Sequence, residues 1–200
     1  MYTLCIRYRK QHEEREEDMA VEITKGRSTM ITIRPFEPSD WPLIWQIIAP
    51  VFRAGETYAF APEISEAEAH RVWIDMPSAA YVATDARDAV LGTYYIKPNQ
   101  PALGAHVCNC GYIVGEHAQG KGVASLMCEH SQREARRLGF RAMQFNLVVS
   151  TNESAVRLWQ KLGFAIVGTL PGAFQHAKYG FIDAFVMYKQ LEVSTPDDAC

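Results

Sequence analysis

From Met30 onward the 200-residue chain alternates two apolar periods, one of two residues and one near 3.6, in the order β-α-α-β-β-β-α-β-α-β-β. That order predicts the α/β (α+β) class, a mixed sheet flanked by helices. Two local observations support it. The apolar run Gly111-Tyr112-Ile113-Val114 leads through Gly115 into a glycine-punctuated turn that opens a long helical pattern. Further on, Asn152 caps a shorter helix that Gly163 closes, and Phe164 starts the next strand at once.

Each element has its own signal. Residues 30–34 read as a first strand ended by Pro35. Ser39 and Asp40 cap a helix with Pro42 in its first turn, and Trp41, Ile44, Ile48 and Val51 share one face. After a loop containing Gly55-Glu56-Thr57-Tyr58, Ser65 and Glu68 form a capping box for a helix with Ala69, Val72 and Trp73 inward. Strands follow at 80–84, 90–97 and 107–114, the first two joined by a turn at Asp85–Asp88. A helix over 122–138 presents Val123, Leu126, Met127, Ala135 and Leu138, and stops at Gly139. Residues 142–149 form a strand and 152–162 a helix. The last strands are 164–169 and 181–190, with 171–180 as a loop between them. No internal repeat is present.

Composition narrows the function. The chain is 48% hydrophobic, with 20 basic and 23 acidic residues, enough for one domain with a full core. The near-neutral balance gives no support to nucleic-acid or membrane binding by charge. No run reaches the length of a membrane span and no signal-peptide core begins the chain, so the expected setting is the cytoplasm. Five scattered cysteines make no disulfide framework. Cys108 and Cys110, two apart on a strand with His106 before them, read as buried thiols, since no second ligand cluster accompanies them for a metal. Residues 1–28 form a mixed-charge leader, expected as a solvated helix or disordered, and 192–200 a tail; 29–191 is the domain.

The turn Gln119-Gly120-Lys121-Gly122-Val123-Ala124 carries chemistry. A helix start leaves backbone N–H groups without partners and concentrates partial positive charge. Glycines there let an anion approach closely, so the site suits a phosphate or pyrophosphate. It is neither a P-loop, for no Gly-Lys-Ser/Thr closes it, nor G-x-G-x-x-G.

Gln119, Gly122 and Ala124 match the Gln/Arg-x-x-Gly-x-Gly/Ala signature of the GCN5-related N-acetyltransferases. The segment Asn152 to Phe164 resembles that family's second hallmark, N-x-x-A-x-x-L-Y-x-x-x-G-F, except that Trp159 stands where tyrosine is usual. The resemblance covers roughly residues 30–191. It implies the family's acyl-coenzyme A fold, with a mostly antiparallel central sheet. It also implies acetyl-coenzyme A as co-substrate, with no metal and no nucleophilic residue. Tyr112, Ile113, Val114, Gln119, Gly120, Lys121, Gly122, Val123, Ala124, Asn152 and Trp159 would then contact it. The gap between the strand of Tyr112 and that of Asn146 would admit the thioester. Tyrosine at 159 could protonate the departing thiolate. An indole is no acid near neutral pH, so Trp159 reads as a packing residue. Dimers are frequent in the family, and a homodimer is compatible with the sequence.

Cys108-Asn109-Cys110-Gly111-Tyr112 and Phe145-Asn146-Leu147-Val148-Val149-Ser150-Thr151-Asn152 are similar to the fungal proline-analogue acetyltransferases. That similarity implies a small-molecule amine acceptor, an amino or imino acid, contacted by Asn109, Asn146, Leu147 and Tyr58, with Asn109 catalytic. Asparagine is depleted in strands because its amide must be bonded when buried. Two in adjacent strands therefore mark either a substrate site or a bridged strand irregularity. General-base candidates are Glu56, Tyr58, His106, Glu116, His176 and Asp183, with Glu56 the better base on sequence and a bulk-solvent route for the amine proton its equal alternative. Protein lysine or N-terminal acetylation, and a non-catalytic acyl-coenzyme A module, are the alternatives.

Overall fold

The structure, a computed structural model, describes residues 30–191. The charged leader 1–28 and the tail 192–200 lie outside the described residues. Seven strands form one sheet: β1 (Ile31–Pro35), β2 (Ala79–Asp85), β3 (Val90–Pro98), β4 (Val107–Val114), β5 (Ala142–Val149), β6 (Ala165–His176) and β7 (Gly180–Gln190). Their spatial order is β1-β2-β3-β4-β5-β7-β6, antiparallel throughout except where β4 meets β5. The helices are α1 (Trp41–Ala54), α2 (Glu66–His70), α3 (Val123–Arg137) and α4 (Glu153–Lys161).

Strand alternation divides the core between two faces. Tyr94, Ile96, Cys108, Cys110, Met143 and Phe145 pack under α3 and α4 with Met127 and Trp159. On the other face Val82, Tyr95 and Ile113 pack under α1 and α2 with Ile44, Ile48, Phe52 and Trp73. The two strand cysteines are thus buried free thiols, as is Cys128 on α3.

Several expected details change. Asp40 is no helix cap: both its oxygens accept from Arg34 at 2.7 Å, and one also accepts the Glu37 N–H. Arg34 holds the Asp40 carboxyl below its usual range against the opposing cost of burial. On α1 the fully buried line is Ile44, Ile48 and Phe52, since steps of four stay on one line, and the expected Trp41 and Val51 pack half-buried against the same cluster. Ser65 does cap α2 through the Glu68 N–H, but the Glu68 carboxylate turns to Arg71 instead of closing the box. The helix then widens into a π-helical turn over Arg71–Asp75, which seats Trp73 in the core with its indole N–H on Thr93. Val72 is only half-buried. On α3 the buried line runs Val123, Met127, Ser131, Ala135, and Leu138 lies outside it.

The largest correction concerns 171–180. Pro171 and Gly172 read as a loop, yet β6 continues to His176. β6 is the sheet edge, where a missing N–H costs no ladder bond, and its register with β7 shifts between Leu170 and Phe174 to absorb the pair. Asp183 braces that irregularity by accepting the Gly172 N–H at 2.9 Å.

Candidate functional site

β4 and β5 share only two register pairs, Val107↔Ala142 and Cys108↔Met143, before they part. At the point of parting the Asn109 side chain takes over: its amide N–H donates to the Gln144 carbonyl at 2.9 Å, and its oxygen accepts from the Tyr95 hydroxyl at 3.4 Å. β5 loosens on its other side as well, where its register with β7 breaks between Phe145 and Val148. Asn146 and Leu147 lie in that break.

The direction of the backbone follows from two bonds at the ends of β4. Asn99 donates to the Val107 carbonyl and Gly115 to the Leu91 carbonyl, both at 2.8 Å. The odd-numbered residues of β4 therefore face β3. Cys110, Tyr112 and Val114 direct their N–H and C=O groups toward the space β5 has vacated. Tyr58 confirms this geometry, since its hydroxyl donates to the Tyr112 carbonyl from across that space at 2.8 Å.

Beyond β4 a short 3-10 turn, Glu116–Ala118, leads to Gln119, and α3 begins at Val123. Gly120 has φ +74° and Gly122 φ +80°, and a Cβ at either would meet no atom within 4 Å. The glycines are thus required by backbone conformation, while the space above the helix start stays open. The first helical bond runs from the Leu126 N–H to the Gly122 carbonyl. The N–H groups before it have no intrahelical acceptor and meet whatever occupies that space.

Gap and helix start belong to one cleft of about 880 Å³. Of the residues singled out in the sequence, Glu56, Tyr58, Asn109, Tyr112, Ile113, Val114, Gln119, Gly120, Gly122, Val123, Ala124, Asn146, Leu147, Asn152 and Trp159 line it. Lys121 is exposed beside the cleft and does not line it. Asn152 caps α4, its side-chain oxygen accepting from the Ala155 N–H at 3.3 Å. Trp159 is buried against Tyr112 and Phe145, ring centroids 5.1 Å from each, as a packing residue would be. Burial raises the Tyr112 phenol well above its ordinary pKa.

The base candidates fare differently. His106, Glu116, His176 and Asp183 are not cleft residues. His176 is no loop histidine: it ends β6, is 5% exposed, and its Nδ1 accepts the Lys178 N–H. Glu56 pairs with Lys178 at 2.7 Å, and that hydrogen bond holds its carboxyl below the usual range. A carboxylate so engaged is a weaker base than the sequence promised. Tyr58 is pushed far up by burial and stays a phenol.

Several cleft residues escaped sequence reading. Tyr95 lies in register with Gly111, where a Cβ would fall 2.6 Å from the Tyr95 ring, so the glycine is what lets that ring lie against β4. Phe60 and Phe145 complete the apolar wall. Only the β3–β4 register reveals the Tyr95–Gly111 pair, and one strand's pattern does not encode it. Among the described residues no group of three or more His, Cys, Asp or Glu is placed to hold a metal ion, and no helix is long and apolar enough to cross a membrane.

Comparison with known proteins agrees with this geometry. A GCN5-related N-acetyltransferase from Kribbella flavida is 42% identical with a TM-score of 0.77, the match covering 80% of this chain and 98% of that one. A phosphinothricin acetyltransferase from Sinorhizobium meliloti, solved with acetyl-coenzyme A, shares the fold at 23% identity and TM-score 0.71, over 80% of this chain and 88% of that one. Among curated proteins, N-acetyltransferase aca1 of Schizosaccharomyces pombe is 34% identical over 111 residues, 55% of this chain and 53% of that protein. Protein SPT10 of Saccharomyces cerevisiae is 32% identical over 83 residues, 42% of this chain and 13% of that protein. The match therefore spans about half or less of the length of these curated relatives. The model of the acetyltransferase (GNAT) family matches residues 41–164, which takes in the open strand pair, the glycine turn and the Asn152 helix together. The chain belongs to the acetyltransferase (GNAT) family.

Proposed function

We propose that the protein transfers the acetyl group of acetyl-coenzyme A directly to the amine of a small metabolite, an amino or imino acid such as a proline analogue. The observation that carries this reading is the continuous cleft with unpaired helix-start amides at one end and Asn109 with Asn146 at the other. The first end suits a pyrophosphate and the open β4 backbone suits an amide-bearing arm. The N–H groups on the vacated side of β4 can donate to a thioester oxygen as charge develops on it, an effect worth a few kcal/mol in similar settings. The acceptor amine attacks unaided by a protein nucleophile. Asn109, with one N–H and one oxygen lone pair held by the fold, presents its remaining N–H and lone pair to orient that amine.

A feature of the β6–β7 turn favours a small acceptor over a peptide. Ala177 donates to the Gly55 carbonyl at 3.1 Å and Lys178 pairs with Glu56, so the turn is strapped onto the loop that carries Tyr58. An extended peptide would need that side open.

The test is release of coenzyme A from acetyl-coenzyme A while proline analogues, free amino acids, polyamines and lysine peptides are offered in turn. Turnover is expected with amino or imino acids. Turnover confined to peptides would reassign the acceptor, and tight cofactor binding with no turnover on any amine would make the protein a non-catalytic binder.

A further inference from the structure

We infer that Lys97 recognises the carboxylate of the acceptor, so that the site selects α-amino or α-imino acids over the same amines without a negative charge. The inference rests on the acetyltransferase reading above and adds the residue and the substrate class. On β3, Lys97 and Tyr95 are two apart and so share the face of α1 and α2, which is the face of Asn109. Lys97 and Asn109 are register partners across β3 and β4. The ammonium lies 5.3 Å from the Tyr95 ring centroid, and the hydroxyl of that ring bonds Asn109. A cation is thus held beside the amide at the closed end of the gap, with its stem along an aromatic face.

What sets Lys97 apart is its register with Asn109, and not its lack of an ion pair, which Lys121, Lys161 and Lys189 share among the described residues. Among the described residues the ion pairs use Arg34, His70, Arg71, Arg137, Arg157 and Lys178, and none uses Lys97. Glu56, the carboxylate that lines the cleft, is already matched by Lys178. Lys97 is not itself a lining residue of the cleft, but its register partner Asn109 and the ring it covers, Tyr95, both are, so an uncompensated positive charge stands beside that wall. Its polar neighbours are amides: Asn146 donates to Asn99 at 2.6 Å and accepts from Gln144 at 2.8 Å. Amides and an ammonium, with no free carboxylate among them, suit an anion. In an amino or imino acid the carboxylate is one carbon from the amine. With the amine at the mouth of the gap, the acid group falls among Asn109, Asn146 and the flexible Lys97 stem. A protonated polyamine would instead meet repulsion there.

The experiment measures kcat/KM for azetidine-2-carboxylate and for azetidine-2-carboxamide, on the wild-type chain, Lys97→Met and Lys97→Arg, with acetyl-coenzyme A affinity determined for each. The wild type is expected to favour the acid at least tenfold. Lys97→Met should cut that preference by tenfold or more, mainly through KM, and Lys97→Arg should restore most of it. Cofactor affinity should stay within about twofold, which a misfolded variant would not show. A wild type that accepts acid and carboxamide equally, or a preference untouched in Lys97→Met, would overturn the inference while leaving acetyl transfer intact. Absence of turnover on every small amine would overturn both.

Discussion

The two ends of the cleft are built from different materials. The end we propose for the cofactor is backbone: two glycines at positive φ, the first amides of α3, and the N–H groups of β4 left facing a departed neighbour. The end we propose for the acceptor is side chain: Tyr58 from the loop after α1, Tyr95 from β3, Asn109 from β4 and Asn146 from β5 line it, with Lys97 next to them as the register partner of Asn109. A backbone site is written in one contiguous stretch, because conformation and glycine placement are local matters. A side-chain site is assembled by register, and its specificity changes with any one of the strands that contribute to it.

The largest expected effect tests the backbone end. Gly122→Val puts a branched side chain at φ +80° and directs it into the open space above the helix start. Affinity for acetyl-coenzyme A should fall about a hundredfold, roughly 2.7 kcal/mol. Gly122→Ala isolates conformational strain from obstruction and should cost distinctly less in the same calorimetric titration. Unchanged affinity in a folded Gly122→Val chain would remove the anion from this turn.

At the other end, Asn109→Ala should lower kcat/KM for the amine by roughly ten- to thirtyfold with little change in cofactor affinity, since small misplacements of reacting groups are costly. The same variant should also melt earlier, because the Gln144 carbonyl and Tyr95 hydroxyl lose their partner. If only the melting temperature moves, Asn109 is a strut of the gap and not a contact of the substrate.

A third variant sharpens the contrast by leaving both ends in place. Arg34 and Asp40 tie β1 to the start of α1, and neither lines the cleft. Asp40→Asn should destabilise the chain by about 1.5–3 kcal/mol near neutral pH, the range for hydrogen bonds to charged groups. Asp40 has a depressed pKa in the fold, so its contribution is complete above the unfolded value near 4 and disappears as pH falls through the folded value. Denaturation curves from about pH 2 to pH 7 should therefore show a flatter acid limb for the variant than for the wild type. Equal acid limbs would mean that the pair contributes no net stability.

Trp159→Phe should have the smallest effect. Its role in the structure is contact with Tyr112 and Phe145, so kcat should stay within about threefold. A tenfold loss at normal cofactor affinity would give the indole N–H a part in turnover.

Most of the backbone end could be read in the chain. The strand at 142–149, the glycine turn and the Asn152 cap sit where local chemistry put them. Less of the acceptor end was legible. Glu56 looked like a free base because its partner, Lys178, is far away in sequence, and His176 looked like a loop residue because the strand that carries it contains Pro171 and Gly172. Those two residues normally signal a loop, and only the position of β6 at the sheet edge makes them tolerable. Tyr95 and Lys97 were part of an ordinary strand pattern until the register with Gly111 and Asn109 gave them meaning.

The brevity of the β4–β5 pairing has a consequence for the molecule as a material. Two register pairs join the half of the sheet formed by β1 to β4 to the half formed by β5 to β7. The sheet thus contains an internal edge, whose N–H groups face the gap as on an outer strand while the Tyr112 carbonyl is taken by Tyr58. A ligand laid along that edge acts as a spare strand and welds the halves together. Bound ligand should then slow amide hydrogen exchange at Cys110, Tyr112 and Val114 more than at the outer hairpins, and saturation at a hundred times the dissociation constant would add about 2.7 kcal/mol to the stability of the whole chain. The seam that makes room for chemistry is also the place where occupancy is converted into rigidity.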